Sequence, residues 1–216
     1  MTSLAESRTS RVSVLAWALL ASVPALAYGI NHDVPAGGAA DSMMNRAPEG
    51  PTRVSAGSVQ YVVPDVILVR QDGTSVSLPR EMNDGRPVVL NFIFTTCGSI
   101  CPLMSQVFGQ FQRKLGPDGA KVHLMSISTD PEEDTPVRLR EYAQQFGAGP
   151  GWQHYTGTLQ ASQSAQRAFD VYRGDKMSHT PVTLMRAAPG EPWLRIDGFV
   201  TPDELLHHYR QLLAAR

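Results

Sequence analysis

The sequence predicts an α/β domain: a central β-sheet flanked by helices, with an N-terminal hairpin ahead of it. Three observations carry this. Residues 88–94, VVLNFIF, form a near-continuous apolar run, the pattern of a central strand covered on both faces. Stretches with apolar residues at helical spacing alternate with such runs further along the chain. Gly- and Pro-containing turn signals separate the elements.

Taken in order, residues 66–78 (VILVRQDGTSVSL) read as two short strands around QDGT, a hairpin signal. The apolar run 88–94 follows. Leu103, Met104, Val107, Phe108, Phe111 and Leu115 then repeat at helical spacing, and Gly116 stops that helix. KVHLMSIS (121–128) reads as a second buried strand. Residues 136–146 are helical, with Leu139, Tyr142, Ala143 and Phe146 on one stripe. Residues 159–172 make another helix through Ala161, Ala165, Ala168, Phe169 and Tyr172. PVTLMRAAPGEPWLRI (181–196) reads as strand, Pro-Gly turn, strand. The last helix opens with a capping box, Thr201 as N-cap, Pro202 at N1 and Glu204 at N3. The order hairpin, β, α, β, α, α, β, β, α is that of a thioredoxin-like α/β sandwich. In open α/β sheets the ligand site lies beyond the carboxyl ends of the strands.

The chain has 216 residues, 42% hydrophobic, with a formal net charge of −1. That supports a substantial core and offers no pull on nucleic acid or anionic lipid. Residues 12–27, VSVLAWALLASVPALA, are apolar, preceded by Arg8 and Arg11 and closed by Ala25-Leu26-Ala27. The run is short for a span of about 20 residues and ends in the small-x-small pattern of a cleavage site. Residues 1–27 are therefore expected to be a signal peptide, or else an N-terminal anchor. Either places the domain outside the cytoplasm, in the periplasm or tethered to the outer face of the inner membrane. Residues 28–57, rich in Gly, Ala, Pro and Ser, read as a flexible linker. His32, Met43 and Met44 lie in it, and methionines in an unstructured tail are its ordinary reading. Residues 58–216 are the expected folded domain.

The only two cysteines, Cys97 and Cys101, stand in TTCGSICPLM (95–104) between the first central strand and its helix. Two cysteines do not staple a fold of this size, and a five-residue disulfide loop closes little entropy. Pro102 suits the first helical position, which makes Cys101 the expected N-cap. A three-residue loop then returns Cys97 over the helix start, where the dipole favours thiolate. Two thiolates at one point attack disulfides or bind a soft metal; CxxxC alone does not choose.

A third ligand would decide. His207 and His208 are adjacent on a helix, diverge by about 100° and do not converge on one ion. His123 falls in a buried strand, where a satisfied core histidine is the ordinary reading, and His154 lies near Trp152 in a strand or loop. His179, in DKMSHTPVTLM (175–185), precedes a strand with Pro181 two residues on. In a thioredoxin-type fold that loop lies against the cysteine-bearing helix start. Two thiolates and one imidazole suit copper in either oxidation state.

Three pieces, NFIFTTCGSICP, SISTDPEEDTP and GDKMSHTPVTLM, in this order and spacing resemble the Sco/SenC family of copper-handling, thioredoxin-like proteins. The resemblance implies one copper ion held by Cys97, Cys101 and His179, with Cys97 and Cys101 also able to form a redox-active disulfide. It also implies a partner, the copper-site subunit of cytochrome c oxidase, matured by copper delivery, by thiol reduction or by both. Gly98 and Ser178 depart from the family pattern, which often has proline after the first cysteine and an acidic residue before the histidine. A missing carboxylate there changes how the imidazole is oriented. Pro181 leans toward the alternative, a thiol-disulfide oxidoreductase using the Cys97/Cys101 pair with periplasmic thiol reductants. Asp130 and Asp134 in STDPEEDTP are placed near the copper by the family pattern; capping by Asp134 or Thr135 ahead of Pro136 is their ordinary reading.

Overall fold

The computed structural model describes residues 54–215, and the expected N-terminal leader, with His32, Met43 and Met44, lies outside them. Eight strands form one sheet: β1 Ser55–Val59, β2 Ile67–Arg70, β3 Ser75–Ser77, β4 Val88–Ile93, β5 His123–Ser128, β6 Trp152–Gly157, β7 Val182–Arg186 and β8 Trp193–Asp197. Five α-helices are α1 Leu78–Met82, α2 Ile100–Leu115, α3 Pro136–Gln145, α4 Leu159–Ala168 and α5 Pro202–Ala214, with 3₁₀ turns at Gly116–Lys121 and Lys176–Ser178. The spatial order is β1-β8-β7-β4-β5-β6-β2-β3. β4, β5 and β6 run parallel, and the remaining pairings are antiparallel.

Local chemistry explains the elements. β4 is buried at every position, and its side chains alternate between two cores. Val88, Leu90 and Phe92 join Leu78, Met82, Ala161, Ala165 and Phe169 on the α1/α4 face. Val89 joins Phe108, Phe111, Leu205, Leu206 and Tyr209 on the α2/α5 face. The β2–β3 hairpin closes at Gly73, whose φ of +89° suits glycine, with the Arg70 amide donating to Thr74 O. The β7–β8 turn puts Pro189 and Gly190 centrally, the type II preference, and the Glu191 amide donates to Ala188 O. The α5 capping box forms as expected: Thr201 accepts from the Glu204 amide and the Glu204 carboxylate accepts from the Thr201 amide.

The structure differs from the sequence reading at four places. β1 begins at Ser55, so the sheet takes the last three residues of the expected 28–57 linker. Its small polar residues are exposed and only main-chain pairing with β8 holds it, which leaves no periodicity to read. β6 joins the sheet between two helices. Gln153, His154 and Thr156 interrupt its apolar run, and Trp152 and Tyr155 carry its burial. Helix α1 follows β3 directly, with Pro79 in its first turn. Helix α4 stops at Ala168 rather than reaching 172. Asp170 takes a left-handed φ of +52°, the Val171 amide donates to Gln166 O, and the Asp170 amide donates to Arg167 O, a Schellman closure.

One end of the sheet gathers the loops that matter. The carboxyl ends of β4 and β5 point there, and β7, antiparallel to β4, starts there with Val182 beside the end of β4. The loops carrying Cys97, Asp130, Asp134 and His179 therefore emerge together. Helix α2 is drawn in tightly beneath them: a Cβ on Gly109 would stand 2.7 Å from the Phe146 carbonyl oxygen.

Candidate metal and thiol site

The chain leaves β4 under control of one carboxylate. Asp134 is fully buried and accepts from the Thr95 amide (3.1 Å), the Thr95 hydroxyl and the Ser128 hydroxyl. It therefore clamps the exit of β4, two residues before Cys97, to the end of β5. Of the two capping residues the sequence allowed, Asp134 or Thr135, the structure selects the second. Thr135 is the N-cap of α3, accepting from the Arg138 amide, because Asp134 is already saturated by the β4 and β5 donors. Burial raises the Asp134 carboxyl above its ordinary value, against its hydroxyl and amide donors, and Asp130 adds to the rise.

The two cysteines meet at the start of α2. The Cys101 amide donates to Cys97 Sγ at 3.4 Å, and the Cys97 amide donates to Phe94 O. Helix α2 begins at Ile100 with Ser99 as N-cap, so Cys101 sits inside the first turn and not at the cap as the Pro102 argument expected. The proline still lies in that turn, where its missing N–H costs nothing. The two thiols are unlike. Cys97 is half-buried and Cys101 only 1% exposed, packed with Ile93, Phe94, Leu139 and Tyr142. Burial opposes a Cys97 thiolate, but the amides of Cys101 and Ser99 overcome it and lower the Cys97 pKa. Burial drives the Cys101 pKa far up, with the neighbouring Cys97 and Asp134 charges adding to it. Iodoacetamide should therefore modify Cys97 first, at a pH below that of an ordinary thiol, and spare Cys101. Peptide mapping by mass spectrometry checks this; equal labelling of the two would show that the helix amides do not set the difference.

His179 is 8% exposed in the loop between the Lys176–Ser178 turn and β7. Its Nε2 lies 3.0 Å from Phe92 O, on β4. A carbonyl only accepts, so Nε2 carries the proton and Nδ1 keeps the lone pair. Burial lowers its pKa, against the Phe92 contact, so the ring is neutral at pH 7. Lys176 pairs with Asp130 and stands 5.8 Å over the Phe94 ring. A cleft beside them is lined by Thr129, Asp130, Gln166, Arg173, Lys176 and His179. All peptide bonds described are trans, that before Pro181 included.

The structure thus brings Cys97 and Cys101 into contact and sets His179 at the same end of the sheet, its ring docked on β4. Among the described residues no three His, Cys, Asp or Glu side chains are gathered closely enough to hold a metal ion. Among the described residues the other histidines stay out of the site. His123 is buried between Glu81 O and the Tyr155 hydroxyl. His154, on β6, contacts Gln71. His207 is exposed on α5. Sequence reasoning missed the Asp134 clamp and Lys176. The STDPEEDTP motif was the signal for the first; nothing local marks the second.

The sequence profile of the SCO1/SenC family matches residues 56–214. A Bacillus subtilis protein, "SCO1 protein homolog", is 35% identical over 104 residues, 48% of this chain. That match spans about half of the relative's own length, 53%. Among solved structures, Arabidopsis thaliana ScoI with copper bound superposes with a TM-score of 0.59 at 24% identity, covering 74% of this chain and 99% of that one. Yeast Sco1 with copper bound gives 0.62 at 19% identity, covering 73% and 91%. These two establish the thioredoxin-like fold. With the family profile running from β1 into the last helix and across both cysteines, Asp134 and His179, the chain belongs to the SCO1/SenC family.

Proposed function

We propose that this protein carries copper outside the cytoplasm and hands it to the copper centre of cytochrome c oxidase. The ion is cargo, taken by Cys97, Cys101 and His179. The observation that carries this reading is the cysteine pair at the α2 start, with a neutral histidine whose Nδ1 lone pair is uncommitted one loop away. The donor set is chemically suited to copper: two thiolates and an imidazole. Copper in the solved relatives from Arabidopsis and yeast supports it.

The residues divide the work. Cys97, the more acidic thiol, makes the first attack on the ion. Cys101 must lose a proton as it joins, so uptake releases protons and strengthens as pH rises. Burial around Ile93, Phe94 and Leu139 shields Cys101 from water and oxidants. Few protein ligands leave the ion open to exchange with a recipient's thiolates or imidazoles. The Asp134 clamp keeps the cysteine loop aligned through loading and unloading.

A second reading has its own observation. A lowered Cys97 pKa beside a buried, raised Cys101 is also the asymmetry of an attacking and a resolving thiol, as in a disulfide reductase. Metal analysis of the reduced full chain after copper addition, with an absorption spectrum, separates the two. One copper per chain and a thiolate-to-copper charge-transfer band are expected. A chain that binds none, yet exchanges disulfides, would promote the reductase.

A further inference from the structure

Among the described residues no three ligands are gathered closely enough for one ion, so copper uptake by three ligands requires the turn bearing His179 to shift toward Cys97 and Cys101, and the structure shows what holds that turn in place. The turn is closed by its own hydrogen bonds: the Met177 amide donates to Asp175 Oδ1, the Ser178 amide to Asp175 O, and the His179 amide to Lys176 O. The turn therefore moves as a unit. It is pinned at two points, the His179 ring on Phe92 and the Lys176 ammonium on Asp130. Asp130 is a fixed post. Its carbonyl accepts from the Glu133 and Asp134 amides, and its own amide donates to the Ser128 hydroxyl. Lys176 is the movable half, its side chain 37% exposed against 8% for Asp130.

We infer that the Lys176–Asp130 pair is a latch that positions His179, holding its ring on β4 until the pair opens and lets the ring join Cys97 and Cys101. Lys176 lies three residues before His179 on the same turn, so carrying the ring toward the cysteines draws the ammonium off Asp130. The pair also places a cation over Phe94, the residue the Cys97 amide donates to. The closed latch thus sets positive charge beside the segment that carries Cys97. Glu133 and Asp134 are the other charged groups acting on the ammonium. An ion pair of this exposure yields to ionic strength, so opening is salt-sensitive. This inference rests on the copper reading above. Lys176 and Asp130 act through His179 and are positioning residues.

The experiment compares the full chain with Lys176→Met and Lys176→Arg. Two readouts are used: solvent exchange of the His179 Nε2–H by NMR in metal-free protein, and the rate at which the charge-transfer band grows on mixing with Cu(II). In Lys176→Met, both should accelerate by on the order of fivefold, the loss of one partly exposed pair, with unchanged final copper content. Lys176→Arg should stay close to the parent. A non-coordinating salt should accelerate the parent and leave Lys176→Met unmoved. Identical ring exchange and uptake rates in parent and Lys176→Met would overturn the latch. If the parent binds no copper, the copper reading fails by itself, and ring exchange in the metal-free proteins still decides whether the pair holds His179.

Discussion

If copper is held as proposed, serine at Cys97 or Cys101 should abolish tight copper binding, and alanine at His179 should weaken it by about 10–100-fold. A serine hydroxyl does not ionise near neutral pH and is a hard donor, so either exchange removes one soft ligand of three. The two serine variants should differ in fold stability. Cys97 is half-buried at a loop and tolerates the hydroxyl. Cys101 is 1% exposed among Ile93, Phe94 and Leu139, where a hydroxyl loses apolar contacts and costs about 1–2 kcal/mol. His179→Ala removes the imidazole and its contact with the Phe92 carbonyl without touching the thiols. Its copper band should shift because the imidazole is lost from the proposed ligand set. Competition titration against a Cu(I) chelator, with the Cu(II) spectrum alongside, gives the affinities. Tight binding indifferent to all three changes would refute the ligand set. The same variants divide the two functional readings: a thiol-disulfide reductase loses activity with either cysteine and keeps it with His179→Ala.

Acid should unfold this domain through a residue far from the cysteines. His154 is completely buried on β6, Nδ1 against Gln71 Oε1 and Nε2 without a partner. Burial pushes its pKa down to about 3, whereas an unfolded histidine titrates near 6.5. Below about 6.5 the unfolded chain therefore binds a proton that the folded chain refuses. The contribution to stability is full above about pH 6.5 and is lost as pH falls toward about 3, at ~1.4 kcal/mol per unit, or roughly 3 kcal/mol by pH 4.5. His123, also buried with a lowered pKa, acts in the same direction. Replacing His154 by phenylalanine should remove most of the slope. Trp152 and Tyr142, with ring centroids 5.0 and 6.1 Å away, provide an aromatic setting for the new ring. Gln71 still accepts from the backbone amide at position 154, so little is lost at pH 7. Urea denaturation at pH 7 and 4.5 tests this. An unchanged acid loss in His154→Phe would place the sensitivity in other groups.

The burial of His154 also illustrates what one sequence reveals. The tryptophan two residues away made it a plausible strand residue, but not a central one. β6 carries three polar residues and reads as weak, and only its place between β5 and β2 makes it a buried strand. β1 was hidden for the opposite reason: an edge strand held by backbone pairing needs no side-chain pattern. The elements that were legible, β4, β5, α2, α3 and α5, bury faces whose periodicity is written into consecutive residues. Asp134 shows the limit at the site. Its motif was visible and the sequence left the cap to Asp134 or Thr135, but the clamp was not legible, because the three donors to Asp134 come from residues 95 and 128, brought together by parallel pairing of β4 and β5.

Sequence alone determined the α/β class, the cysteine pair behind a buried strand, and His179 as the histidine ahead of a later strand. These follow from short-range rules: apolar runs make central strands, and four-residue spacing brings two thiols to one helix start. Only the tertiary structure decided how the thiols differ, which nitrogen of His179 is free, and that its ring rests on Phe92 under the Lys176–Asp130 pair. Those properties depend on burial and on partners 46 to 87 residues apart in sequence. Desolvation and hydrogen bonding are set by what the fold places in contact, and local sequence does not encode it.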